Sequence, residues 1–358
     1  MISLQSVEES SLRFLAELCS TYTPAGREAA LLPLLEARLR GLGAKIEAFP
    51  LGLGRANLLA TWGEPEVLFS THLDVVPPDL ACRSSTSAVD ARGACDAKGQ
   101  IAAQLGSIEL LLAEGVQGLA WLGVSGEETD SIGAQASLKL TGRFTCCRAI
   151  VVGEPTDSKL ATGQKGFVRV RLTCKGKAAH GGMPELGRNA ILDLMDWLQA
   201  IRAAEGASDP ALGREAWNVG LVSGGRAANV VPDLAEAEIT LRTVPGGTLR
   251  AAMEKAKPEG ASIDVLVDDP WSFFDTPEGF PKTSVPFGSD LPAMRALAPE
   301  AAAVLAGPGS IKLAHTGIER LTIEELSSGI ALFRDLGLAY AEPRPKGRSA
   351  EHRQGARK

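Results

Sequence analysis

Positive charge is in short supply in this chain: 37 Lys and Arg stand against 43 Asp and Glu, a formal net charge of −6. A nucleic-acid surface needs clustered Lys and Arg, and the one basic run is the terminal "RPKGRSAEHRQGARK", so no nucleic-acid partner is expected. That end, residues 342–358, reads as a solvated disordered tail. No stretch approaches the roughly 20 apolar residues of a membrane span, and the first residues lack the basic and apolar regions of a secretory signal. Leu12, Phe14, Leu15 and Leu18 instead suit an amphipathic helix. The six cysteines, Cys19, Cys82, Cys95, Cys146, Cys147 and Cys174, show no CxxC spacing. That excludes a thiolate-rich metal motif and a disulfide framework, leaves the thiols as small apolar residues, and fits a reducing cytoplasm. Histidine is scarcer still, at four in the whole chain.

The rest is the material of a globular enzyme. With 358 residues, 45% of them hydrophobic, the chain can bury a full core and form two domains. From residue 1 to 163, apolar runs such as "ANLLATW", "EVLFS", "LAWLGVS" and "RAIVVGE" alternate with helical patterns such as "KGQIAAQLGSIELLLAEG". This alternation predicts an α/β layer fold, a central mixed sheet flanked by helices. Residues 164–270 follow a β-α-β-β-α-β order from "GFVRVRLTCKG" to "SIDVLVD", the order of a ferredoxin-like unit. We read it as an inserted lid or dimerisation domain, with residues 271–341 returning to complete the first sheet.

Carboxylates gather where the strands end. Asp96 lies in "GACDAKGQ", Glu127 and Glu128 in "VSGEETD", Glu154 in "VVGEPTD", and His72 with Asp74 in "FSTHLDVVPPD". Open α/β sheets place their ligands there. Acids crowded at the ends of buried strands repel one another and lose hydration unless positive charge sits among them. Asp96, Glu128 and Glu154 bring three negative charges, a hydroxide a fourth, and two divalent ions neutralise the four. Mixed imidazole and carboxylate donors point to zinc of the catalytic kind.

The segments "HLDVVP", "GACDAKG", "SGEE", "GEPT", "GGRAANVVPD" and "GPGSIKLAHTGIE", in this order, resemble those of the di-zinc aminoacylase and exopeptidase family. Its members include acetylornithine deacetylase, succinyl-diaminopimelate desuccinylase, aminoacylases and glutamate carboxypeptidases. The resemblance spans roughly residues 8 to 341. It implies two zinc ions, with cobalt able to substitute: His72 and Glu154 hold one, Glu128 and His315 the other, and Asp96 bridges them. It further implies that Glu127 is the general base and that the carboxylate of Asp74 orients the imidazole of His72. His180 is implied to cross a homodimer interface formed by residues 164–270 and to donate to the oxyanion in the partner's site. Asn229 and Arg242 fall where relatives hold the substrate, although Arg242 also reads as a strand-surface residue in a salt bridge.

Two departures stand out. Ile318 takes the place where deacetylases of the family often carry an acid, two residues before the Glu in their motif, while Glu319 is kept. The run "FGSDLP", with Ser289 and Asp290, looks like a substrate-side loop without an assigned role. The expectation is a cytoplasmic deacetylase of N-acetyl amino acids, N-acetylornithine first, in the manner of arginine biosynthesis. Succinyl-diaminopimelate desuccinylase and a dipeptidase or carboxypeptidase are the alternatives. A non-catalytic assembly protein is more remote, because Glu127 and the ligand set are complete.

Overall fold

A computed structural model describes residues 3–341, so the expected tail and His352 lie outside the described residues. The chain divides into two compact units. One runs to Ser158 and resumes at Asp290, and the other is Lys159–Ser289.

The first unit is organised by a six-stranded mixed sheet in the order Lys45–Gly52, Arg55–Trp62, Leu119–Val124, Val67–His72, Ala149–Gly153, Ala302–Ala306. The last four run parallel to one another, and the hairpin Lys45–Gly52/Arg55–Trp62 joins them antiparallel. Val67–His72, Leu119–Val124 and Ala149–Gly153 are buried at every position. Continuous apolar runs rather than alternating ones are what a parallel strand covered on both faces requires.

The helix Lys98–Ala113 is buried on nearly every side, packed against Leu4–Cys19 and Ile323–Ala341. Its polar residues therefore need partners inside the protein. Gln104 Nε2 donates to the Ser70 carbonyl at 2.9 Å, and Gln104 Oε1 accepts from Trp121 Nε1 at 3.0 Å. Gln100 Nε2 donates to the carbonyls of Cys95 and Pro308. Gly307 makes this approach possible, since a Cβ there would stand 1.9 Å from Gln100 Oε1. Phe333 meets Phe69 edge to face, centroids 6.0 Å apart, and fixes the last helix to the sheet. Phe333→Ala would cost about 3–5 kcal/mol.

In the second unit, Ala216–Gly224, Leu234–Thr243, Gly166–Lys175 and Ser262–Asp269 form a four-stranded sheet in that order, antiparallel at each pairing. The helices Ala190–Ala203 and Leu249–Lys255 supply the rest of its core, with Trp197, Leu194 and Met253 against Val170, Leu172 and Ile239. Asn189 caps the first helix, its Oδ1 accepting from the amides of Ile191 and Leu192. This is the ferredoxin-like order expected from the sequence. The unit also holds a small sheet, Ser272–Phe273, Leu160–Gln164 and Lys282–Val285, which strands of so few residues do not announce. Among the described residues no helix is long and apolar enough to cross a membrane, and the six cysteines are free.

Candidate metal centre

The parallel strands of the first unit deliver their polar residues at one end. His72 is the last residue of its strand, Glu127 and Glu128 follow Leu119–Val124, Glu154 follows Ala149–Gly153, and His315 stands in the loop after Ala302–Ala306. Asp96 comes from the loop that opens the buried helix Lys98–Ala113. The sheet thus presents its carboxyl edge as a donor surface.

Asp96 stands in the middle of the cluster. Its Oδ1 lies 3.0 Å from His72 Nε2, and its Oδ2 lies 3.4 Å from His315 Nε2. On the His72 side, Glu154 Oε1 is 3.9 Å from the same Nε2. On the other side, Glu128 Oε1 is 2.9 Å from His315 Nε2. Single donor atoms of His72, Asp96 and Glu128 all fall within 4.8 Å of one another. Two donors 2.0–2.1 Å from a tetrahedral zinc are roughly 3.3 Å apart, which is the spacing seen here. The five residues expected as ligands are therefore brought together, in two halves that share Asp96.

Asp74 stands beside this cluster and meets His72 through both its main chain and its carboxylate. The His72 Nδ1 is met by the main-chain carbonyl of Asp74 at 3.0 Å, and the Asp74 carboxylate stands 3.6 Å from the same nitrogen as an ion pair. That carboxylate also accepts the amides of Gly126, Glu127 and Glu128 at 2.9, 3.2 and 3.0 Å, and so holds the turn carrying Glu127 and Glu128. Gly126 enters the turn at φ 84°, the left-handed region where only glycine is free of a Cβ penalty. His72 and the "SGEE" turn are fixed by one residue.

The electrostatics show what the cluster lacks. Burial pushes the carboxyls of Glu127 and Glu154 well above the carboxylate range, and neighbouring acids push further: Glu154 and Asp290 act on Glu127, Asp96 and Glu128 on Glu154. Burial opposes protonation of His72, yet Asp74, Asp96 and Glu154 overcome it and raise its pKa well above the usual imidazole value. His315 is pushed up to about 10 by Asp96 and Glu128. Burial works against ionisation of Asp96, but His315 and His72 hold it low. A site that retains protons at several acids and both histidines carries more negative charge than its surroundings can balance.

Two groups in the first unit went unassigned at the sequence level. Asp290, in "FGSDLP", is buried and neither of its oxygens makes a hydrogen bond of good geometry. Burial, with Asp74 and Asp130 adding to it and Ser131 and His72 working against it, raises its carboxyl to about 6. Glu319 is buried in a salt bridge with Arg92, while Ile318 beside it is 74% exposed.

The remaining expected residues belong to the second unit. His180 and Asn229 are exposed and adjacent: Gly181 donates its amide to the Asn229 carbonyl at 2.7 Å, and His180 bridges Val230. A cleft of about 550 Å³ lies beside them, lined by Gly181, Asn189, Arg226 and Val230 among others. Arg242 is not with them. It pairs with Phe167 in register, at the end of the sheet opposite to Leu234–Lys175, and its guanidinium stacks over the Phe167 ring at 4.5 Å.

Comparisons with known proteins agree with this architecture. Residues 162–258 match the peptidase dimerisation domain of the M20 family. A protein of Aspergillus terreus named "Probable carboxypeptidase" is 33% identical over 322 residues, 81% of this chain and 72% of the relative. A tripeptidase structure from Staphylococcus aureus superposes with a TM-score of 0.77 at 20% identity, over 94% of this chain and 99% of that one. A Bacillus subtilis protein described as a dinuclear metal binding peptidase of the M20 family superposes with a TM-score of 0.68 at 17% identity, over 94% and 99%. With its mixed α/β sheet, its ferredoxin-like dimerisation unit and these relatives, the chain belongs to the M20 family of metallopeptidases.

Proposed function

We propose that this chain is a di-zinc hydrolase that cleaves the amide joining an acyl group to a residue with a free carboxylate. A carboxypeptidase or dipeptidase activity is the first reading, favoured by the relatives named carboxypeptidase. The observation that carries the proposal is Asp96, with one oxygen turned to His72 and the other to His315. The donor set fits two divalent ions. Glu154 Oε1 is buried without a hydrogen-bond partner, an arrangement that is costly unless a cation meets it. His72 and Glu154 would hold one ion, Glu128 and His315 the other, and Asp96 both; zinc suits these donors and cobalt can replace it. When bound, the ions supply Lewis acidity toward the amide carbonyl and toward water.

The chain's own groups do the rest. Glu127, whose carboxyl burial and the neighbouring Glu154 raise well above the ordinary carboxylate value, takes the proton of the attacking water and passes it to the leaving nitrogen. His180 Nδ1 accepts the Gly182 amide at 3.1 Å, so the neutral ring carries its proton on Nε2, the form needed to donate to an oxyanion. His180 and Asn229 share one end of their sheet and Arg242 lies at the other, roughly 25 Å along the strand. A homodimer through the second unit reconciles the two, with His180 acting on the partner's substrate and Arg242 gripping the substrate carboxylate. The exposed edge strand Ala216–Gly224 and helix Ala190–Ala203 supply an apolar surface for it, including Leu221, Val222, Leu192 and Met195.

The motifs "GEPT" and "GPGSIKLAHT" favour a second reading, deacetylation of N-acetylornithine as a step of arginine biosynthesis, with succinyl-diaminopimelate as a neighbouring substrate. Assays of the zinc-loaded protein on N-acyl dipeptides, dipeptides, N-acetylornithine and succinyl-diaminopimelate separate these readings. Glu127→Gln is expected to lower kcat by roughly 10²–10⁴-fold with zinc content unchanged. No cleavage of any of these amides, or full turnover by the variant, would end the proposal.

A further inference from the structure

The loops carrying Asp96 and His315 are tied together by a residue that touches neither imidazole. Glu319 lies four residues after His315, and its Oε1 accepts the amides of Cys95 at 3.2 Å and Asp96 at 3.1 Å. Its Oε2 accepts from Arg92 Nη1 at 2.7 Å, and its main-chain carbonyl accepts the amide of Ala91. Arg92 in turn donates Nε to the Pro78 carbonyl. Both side chains are at most 2% exposed. The short strand Arg320–Thr322, immediately after Glu319, pairs with Ala88–Asp90, so the two loops are also stitched by their backbones.

We propose that Glu319 is a positioning residue for the metal centre: by accepting the consecutive amides of Cys95 and Asp96 it fixes the Asp96 carboxylate between His72 and His315, and Arg92 neutralises the charge this requires. The inference rests on the di-metal reading above. Buried acceptors of this kind are stiff, because two amides and a guanidinium leave the carboxylate one orientation. Carboxylates that hold metal-bearing groups in place typically govern affinity by roughly 10- to 100-fold.

The test is a zinc titration of the metal-free full chain against a chromophoric chelator. Removing Glu319 alone leaves Arg92 buried without its partner, which endangers folding, so the informative variants are neutral pairs. R92M/E319Q keeps an acceptor for the two amides, whereas R92M/E319L fills the same space without one. Near-UV circular dichroism confirms that both are folded. The expected result is zinc affinity close to the parent's in R92M/E319Q and lower by roughly 10- to 100-fold in R92M/E319L. Equal zinc affinity in the two variants would overturn the role of Glu319 while leaving the metal centre standing. Failure of the parent chain itself to bind zinc would overturn both.

Discussion

The two halves of the acid–histidine cluster use the same donor types but are built differently. His72 closes a buried strand, is 2% exposed, and has its second nitrogen held by a main-chain carbonyl. His315 stands on a loop at φ 62°, and its side chain is half exposed. A left-handed backbone at a non-glycine residue costs on the order of 1 kcal/mol or more and persists where the surroundings impose it. The sheet supplies an enclosed seat on one side, and the loop an open one on the other. An ion on the His72 and Glu154 side would be held by pre-set groups, and one on the Glu128 and His315 side would exchange with solvent more readily.

The sharpest way to break this comparison is to remove what the halves share. Asp96→Asn is expected to abolish tight binding of both ions and to lower kcat/KM by more than the roughly 10–100-fold that loss of an outer partner costs, measured by metal analysis and steady-state rates. Retention of both ions would show that Asp96 does not bridge. Next in size, His315→Ala is expected to keep one ion per chain after dialysis, whereas His72→Ala loses it and is destabilised by about 1–3 kcal/mol through the groups it leaves unpaired. Native mass spectrometry and thermal melting read both, and equal retention by the two variants would abolish the asymmetry.

A smaller effect follows from protonation. Glu127, Glu154, Asp290 at about 6 and His315 at about 10 are all raised in the folded chain. They bind protons more tightly folded than unfolded, so their contribution is complete below the unfolded values and is lost as pH rises through the folded ones. Asp74 and Asp96 are held low and act in the opposite sense, only in acid. The melting temperature of the metal-free protein is therefore expected to fall between about pH 6 and about pH 10, and zinc is expected to flatten the decline. Calorimetry across that range checks the sign; a rise would contradict it. Smallest is Ile318→Asp, an exposed change expected to move stability within about 0.5 kcal/mol. It should tighten only the more weakly held ion, and an equal effect on both would mean that the halves are not separable.

Sequence carried much of this. Strands such as "LAWLGV" and "AIVV" announced themselves as unbroken apolar runs, and the second unit by its alternating strands and its element order. The donor positions were readable because His72, Glu128 and Glu154 follow those runs directly. What the sequence left unread has a common cause. That the Asp74 carboxylate also holds a turn 52 residues away, at Gly126, depends on the folded chain and on no local pattern. The pairing of Arg320–Thr322 with Ala88–Asp90 involves three residues on each side, too few to show a period. The isolation of Asp290 is a property of what surrounds it, which no local pattern encodes.

The interrupted course of the first unit has a consequence in time. On the ribosome, His72, Asp96, Glu128 and Glu154 have all been synthesised before the second unit begins at Lys159. His315 follows roughly 160 residues after Glu154, on the order of 10–30 s at ordinary rates of translation. The donors of the enclosed seat thus precede the second unit, but Glu319, which holds the amide of Asp96, and His315, which belongs to the open seat, both emerge only after it, so neither seat has all its parts until the chain has returned to the first unit.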